Sequence, residues 1–104
     1  MSQELFIGDI RKLARKVMPE NSQIILFGSQ ARGDAHDGSD WDLLLLLQDK
    51  KSWSDAFDKY AFPFVELGWQ NNTEVNPLIY TFDEWSQRQN TPFYYNVENE
   101  GIRI

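Results

Sequence analysis

The sequence predicts a small α/β (α+β) domain in which a mixed β-sheet is flanked by helices. Two apolar runs, Ile24 to Phe27 and Leu43 to Leu47, have strand length and are bounded by polar or Gly-rich turns. Stretches with apolar residues at helical spacing stand before, between and after the strands. The chain has 104 residues, enough for one domain spanning 1–104, and its apolar fraction of 41% supports a core.

Met1 to Met18 reads as an amphipathic helix with Phe6, Ile10, Leu13, Ala14 and Val17 on one face. Ser2 caps its start and Pro19 enforces its end. Arg11, Lys12, Arg15 and Lys16 form a basic patch on the other side. That patch reads either as a contact for an acidic partner or as a solvated face with cations near the negative helix end. The first strand covers about Gln23 to Phe27. The second, Trp41 to Leu47, is apolar on both faces after its aspartates, so it is expected to be central and covered on both sides.

Ser52 or Ser54 starts a helical stretch with Phe57, Tyr60, Ala61, Phe64, Val65 and Leu67 as apolar positions, and Gly68 is the expected stop. Pro63 interrupts it at a cost of about 3 kcal/mol in a helix interior, which predicts a kink or two short helices. Glu74 to Tyr80 reads as a third strand, at an edge or bulged because Pro77 has no N–H to donate. Thr81-Phe82-Asp83-Glu84 fits a capping box for a helix through about Gln89. Thr91-Pro92 opens a last helix that Gly101 ends.

The stretch Gly28 to Asp42, GSQARGDAHDGSDWD, joins the first two strands and carries the chemistry. Strand side chains alternate, so Asp40 and Asp42 point the same way. Two adjacent carboxylates resist joint ionisation, and a divalent cation such as Mg²⁺ relieves the conflict. Gly28 permits a close backbone approach and a positive φ. Ser29 adds a hydroxyl, and the N–H groups of such a turn can cradle phosphate oxygens. Arg32 supplies a permanently charged fork suited to phosphate or carboxylate. A phosphate-binding turn beside metal-binding carboxylates is equipment for phosphoryl or nucleotidyl transfer.

Gly28-Ser29, Ala31-Arg32-Gly33, Ser39-Asp40 and Asp42 together resemble the core of the minimal nucleotidyltransferases of the polymerase-beta-like superfamily. The resemblance implies that superfamily's fold, two Mg²⁺ ions, and ATP or another NTP as substrate. It implies nucleotide contacts from Gly28, Ser29, Arg32 and Ser39, and metal ligands at Asp40 and Asp42. It also implies a third carboxylate from the next core strand, as base or metal ligand. Glu74, Asn76, Leu78 and Tyr80 share one face of that strand, and Glu74 is its carboxylate. If Asn76 holds the position instead, an amide with no basic oxygen stands there; the sequence does not fix that register, and Glu74 is the expected base or third metal ligand beside Asp40 and Asp42.

Members of the resembling family often act as antitoxins to HEPN-type toxins, in some cases by adding AMP to a toxin tyrosine, which makes such a protein the expected partner. Two alternatives stand beside this: a weakened or inactive domain that regulates a partner by contact, and a transferase acting on a small molecule such as an antibiotic. Ten basic against sixteen acidic residues give a formal charge of −6, which argues against general nucleic-acid binding. The absence of cysteine excludes disulfides and thiolate chemistry. No apolar run is long enough to span a bilayer, and a cytoplasmic location is expected.

Overall fold

A computed structural model describes residues 2–36, 38–49 and 52–104. Met1 at the expected helix start, Asp37 in the loop, and Lys50 and Lys51 after the second strand lie outside the described residues, as does the Trp53 side chain. Helix α1 (Gln3–Val17) begins where the Ser2 hydroxyl accepts a hydrogen bond from the Leu5 N–H at 3.1 Å. Met18 takes extended backbone and leads into Pro19. Phe6 and Ile10 are fully buried, and Leu13, Ala14 and Val17 pack around the same cluster, so the expected face meets the sheet.

Strands β1 (Gln23–Phe27), β2 (Trp41–Leu47), β3 (Val75–Thr81) and β4 (Ile102–Arg103) form one sheet in the order β3-β2-β1-β4. β1 is antiparallel to both β2 and β4, whereas β3 is parallel to β2. Parallel neighbours need a long crossover, and the helical segment between β2 and β3 supplies it. Alternation along β2 feeds two cores. Leu43, Leu45 and Leu47 pack with Phe6, Ile10 and Phe64, while Leu44 and Leu46 join Ile25, Trp85 and Val97 on the other face. β3 lies at the edge, the position that tolerates a residue with no N–H such as Pro77.

The crossover absorbs Pro63 by changing its winding. Short helix α3 (Trp53–Ala56) widens into a π-helical turn, Phe57–Ala61, and the Phe62 N–H donates five residues back to the Phe57 carbonyl. Helix α4 (Phe62–Gln70) then restarts with Pro63 in its first turn, where no intrahelical donor is required. Gly68 lies inside α4 and is not its stop. A Cβ there would sit 2.8 Å from Val75 Cγ2, so the glycine gives clearance for β3.

Helix α5 (Phe82–Ser86) carries the expected capping box: the Thr81 hydroxyl accepts from the Glu84 N–H at 3.0 Å, and Glu84 Oε1 accepts from the Thr81 N–H at 2.8 Å. It ends at Ser86, short of the expected Gln89. Helix α6 (Pro92–Glu100) is capped by Thr91 and ends at Gly101, after which the chain makes the two-residue β4 against β1. A Cβ on Gly101 would lie 2.5 Å from both Ile25 Cγ2 and the Val97 carbonyl oxygen. Gly101→Ala should therefore destabilise the fold by about 1–3 kcal/mol, read as a lower urea midpoint; an unchanged midpoint would mean that α6 and β4 are not wedged as described.

Candidate functional site

Asp40 immediately precedes β2 and Asp42 is its second residue. One side chain reaches both: Asn76 Nδ2 lies 3.0 Å from Asp40 Oδ2 and 3.5 Å from Asp42 Oδ1. The two carboxylates therefore converge on one side, as strand alternation demands. Asn76 stands there because the parallel ladder sets it opposite Asp42. Glu74 lies one step before β3. Its carbonyl accepts from the Trp41 N–H at 2.9 Å, and the residue borders a hollow of about 200 Å³ with Trp69, Asn72 and Thr73. Among the described residues no three acidic or histidine side chains converge. The structure thus groups Asp40, Asp42 and Asn76, and does not bring Glu74 to them.

Burial raises the Asp42 carboxyl above its ordinary pKa; donation from Asn76 pulls it down, the Asp40 charge pushes it up again, and Arg32 opposes the rise without cancelling it. Gly28 has φ 76° and ψ −158°, a region nearly closed to residues with a side chain. A Cβ built on it would collide with Asp42 Oδ2. The glycine is thus required by the chain's own carboxylate, before any ligand is considered.

After Gly28 the chain turns into α2 (Ser29–Arg32), where the Gly28 carbonyl accepts from the Ala31 and Arg32 N–H groups, both at 3.1 Å. The N–H groups of Ser29 and Gln30 have no acceptor within that turn, which is the general condition of a helix start. Gly28, Ser29, Arg32 and Asp42 line one side of a cleft of about 400 Å³, and Phe93, Asn96, Val97 and Glu100 of α6 line it too. Arg32 is held by acids: its Nε lies 3.2 Å from Asp34 Oδ2 and its Nη1 3.6 Å from Glu100 Oε2.

Ser39 is used otherwise. Its hydroxyl accepts from the His36 N–H at 2.9 Å and its carbonyl from Gln30 Nε2 at 3.3 Å, and it borders a separate polar hollow of about 680 Å³. Gln30 is buried and also accepts from Gln3 Nε2 through its carbonyl, so it ties the loop to α1. Neither Gln30 nor the α6 wall was expected from the sequence. A polar residue two places after Gly28 was the only signal for Gln30, and nothing local marks α6 as a wall.

The donor set fits a hard divalent cation. Two carboxylates share one side, and the Asn76 amide can present its oxygen in place of its NH₂. The space against Gly28 that a Cβ would fill keeps the Asp42 carboxylate beside the turn into α2.

A family model described as Polymerase beta, Nucleotidyltransferase matches residues 9–104. A protein of Methanocaldococcus jannaschii, provisionally named a protein adenylyltransferase, is 31% identical over 88 residues, covering 79% of this chain and 77% of the relative. Two crystal structures share the fold. A toxin–antitoxin with AMP-PNP aligns with TM-score 0.62 at 21% identity, covering 92% of this chain and 69% of that one. A mutant of the toxin–antitoxin MntA-HpeT aligns with TM-score 0.61 at 19% identity, covering 99% and 72%.

Two stability measurements follow from the geometry. An acid whose pKa is raised on folding holds its proton more tightly in the native state, so stability falls as pH rises from the unfolded value of about 3.9 through the raised folded value. In metal-free buffer above that window Asp42→Asn should melt higher than the native chain, and the gap should close as pH approaches about 4. A lower melting temperature at neutral pH would contradict the cost assigned to the carboxylate. Gly28→Ala should lose about 1–3 kcal/mol through backbone strain, and relieving the clash by Asp42→Gly in the same chain should recover part of that loss.

Proposed function

The chain belongs to the polymerase beta nucleotidyltransferase family, and on that premise we propose that it transfers AMP from ATP to a hydroxyl of a partner protein in a Mg²⁺-dependent reaction. The observation that carries this reading is the Asp42 carboxylate set against Gly28 at the cleft, with Asp40 joined to it through Asn76. The Ser29 hydroxyl and the first N–H groups of α2 bind phosphate oxygens, and Arg32 offers its fork to the same anion. Two divalent cations held by Asp40 and Asp42 would supply charge neutralisation at the α-phosphate and the departing pyrophosphate. Gly28 keeps the Asp42 carboxylate where that charge develops, and α6 shields one side of the cleft from water.

Asn76 fits the place at which the family supplies its third acid, and an amide cannot take the acceptor's proton. A phenol with a pKa of about 10 sheds its proton far more readily than an aliphatic hydroxyl, which favours tyrosine as the acceptor. The relative named as a protein adenylyltransferase and the toxin–antitoxin structures support a protein substrate, here a HEPN-type toxin with this chain as antitoxin. Among the described residues no helix is long and apolar enough to cross a membrane, and we place the reaction in the cytoplasm. Asn76 also favours a second reading, in which the domain neutralises its partner by contact without turnover.

Transfer of α-phosphate-labelled AMP to a HEPN-type toxin, with and without Mg²⁺, separates the two. Asp40→Asn or Asp42→Asn should reduce labelling to background, while Glu74→Gln should leave it intact. Asn76→Asp should raise it by about 10²-fold through the added base. Absence of labelling by the native chain, with toxin neutralisation preserved in Asp40→Asn, would establish the contact reading instead.

A further inference from the structure

We propose that Glu100 limits the affinity of the cleft for a triphosphate by occupying Arg32, so that an entering phosphate has to displace a carboxylate the fold keeps in its place. The inference rests on the nucleotide-binding reading above and deepens it. Arg32 is the one basic side chain among the described residues that line the cleft, and Glu100 lines it as well. The Arg32 fork is split: Nε stays with Asp34 at 3.2 Å, while Nη1, 3.6 Å from Glu100, is the edge open to exchange.

Glu100 cannot withdraw with its backbone. The next residue, Gly101, donates to the Val97 carbonyl at 2.8 Å and is wedged against Ile25. The Arg32–Glu100 pair is half-exposed, and such pairs are weak enough to exchange with a phosphate. Glu100 acts in one direction through two routes. It competes for Arg32, and it adds negative charge to a cleft that already holds Asp42. A triphosphate whose charge is reduced by Mg²⁺ suffers less from the second route, so Glu100 selects the metal complex over the free anion.

The test is calorimetric titration with ATP, in Mg²⁺ and in EDTA, of the native chain, Glu100→Gln, Arg32→Ala and the double variant. Glu100→Gln should tighten Mg²⁺–ATP by about three- to tenfold and metal-free ATP by a larger factor. The gain should shrink when Arg32 is already alanine. Unchanged or weaker binding in Glu100→Gln, or an equal gain without Arg32, overturns the inference while leaving the nucleotide site standing. Failure of every chain, native included, to bind Mg²⁺–ATP overturns the site assignment and this inference with it.

Discussion

Asp42 can lie where it does only because Gly28, one step beyond its ladder partner, has no side chain. β1 and β2 pair so that Phe27 faces Asp42, and the next residue, Gly28, turns with a positive φ under the carboxylate. Three features follow from that contact. The chain leaves β1 into the α2 turn, the cleft acquires a carboxylate beside the N–H groups that open α2, and Asp42 is partly buried next to a second acid. The arrangement costs stability in the metal-free protein. It persists because five consecutive leucines behind it, Leu43 to Leu47, are buried in two cores. Each contributes about 1.5–3 kcal/mol, and together they outweigh the strain and repulsion at one strand end.

The remaining elements place partners around that contact. The parallel register of β3 delivers Asn76 to both aspartates, which the π-helical turn and the restart at Pro63 make possible by returning the chain to the correct edge. α6 and the short β4 bring Glu100 to Arg32. Among the described residues the cleft is thus lined by two acids, Asp42 and Glu100, and one basic side chain, Arg32. On the proposed nucleotide-binding role, selectivity there depends on which anion the arginine prefers, more than on how many donors are present.

Much of this was legible because the signals were local. Gly28-Ser29 and Asp40-x-Asp42 declare themselves through backbone permissiveness and strand alternation, and the Thr81–Glu84 capping box and the Pro77 edge strand rest on hydrogen-bond rules that need no tertiary knowledge. Glu74 against Asn76 was a different kind of question. The alternating pattern puts both on one face, and only the ladder with β2, which begins at Val75, decides which one meets the aspartates. Gly68 read as a helix stop because glycine commonly is one, whereas its actual duty is clearance for Val75, a contact invisible to local pattern. The α6 wall and Gln30 act across long sequence separations and left no periodic trace.

Asn76 is the point on which chemistry and regulation divide, because an amide between two carboxylates can steady them or ligate a cation but cannot accept a proton. The most direct measurement is a crystal structure of the chain with Mg²⁺ and a non-hydrolysable ATP analogue. Metal is expected on Asp40 and Asp42, phosphate oxygens on Ser29 and the α2 N–H groups, and Asn76 turned to present its oxygen. A nucleotide bound outside the α6 cleft, or Glu74 swung in as the third metal ligand, would contradict the proposed site.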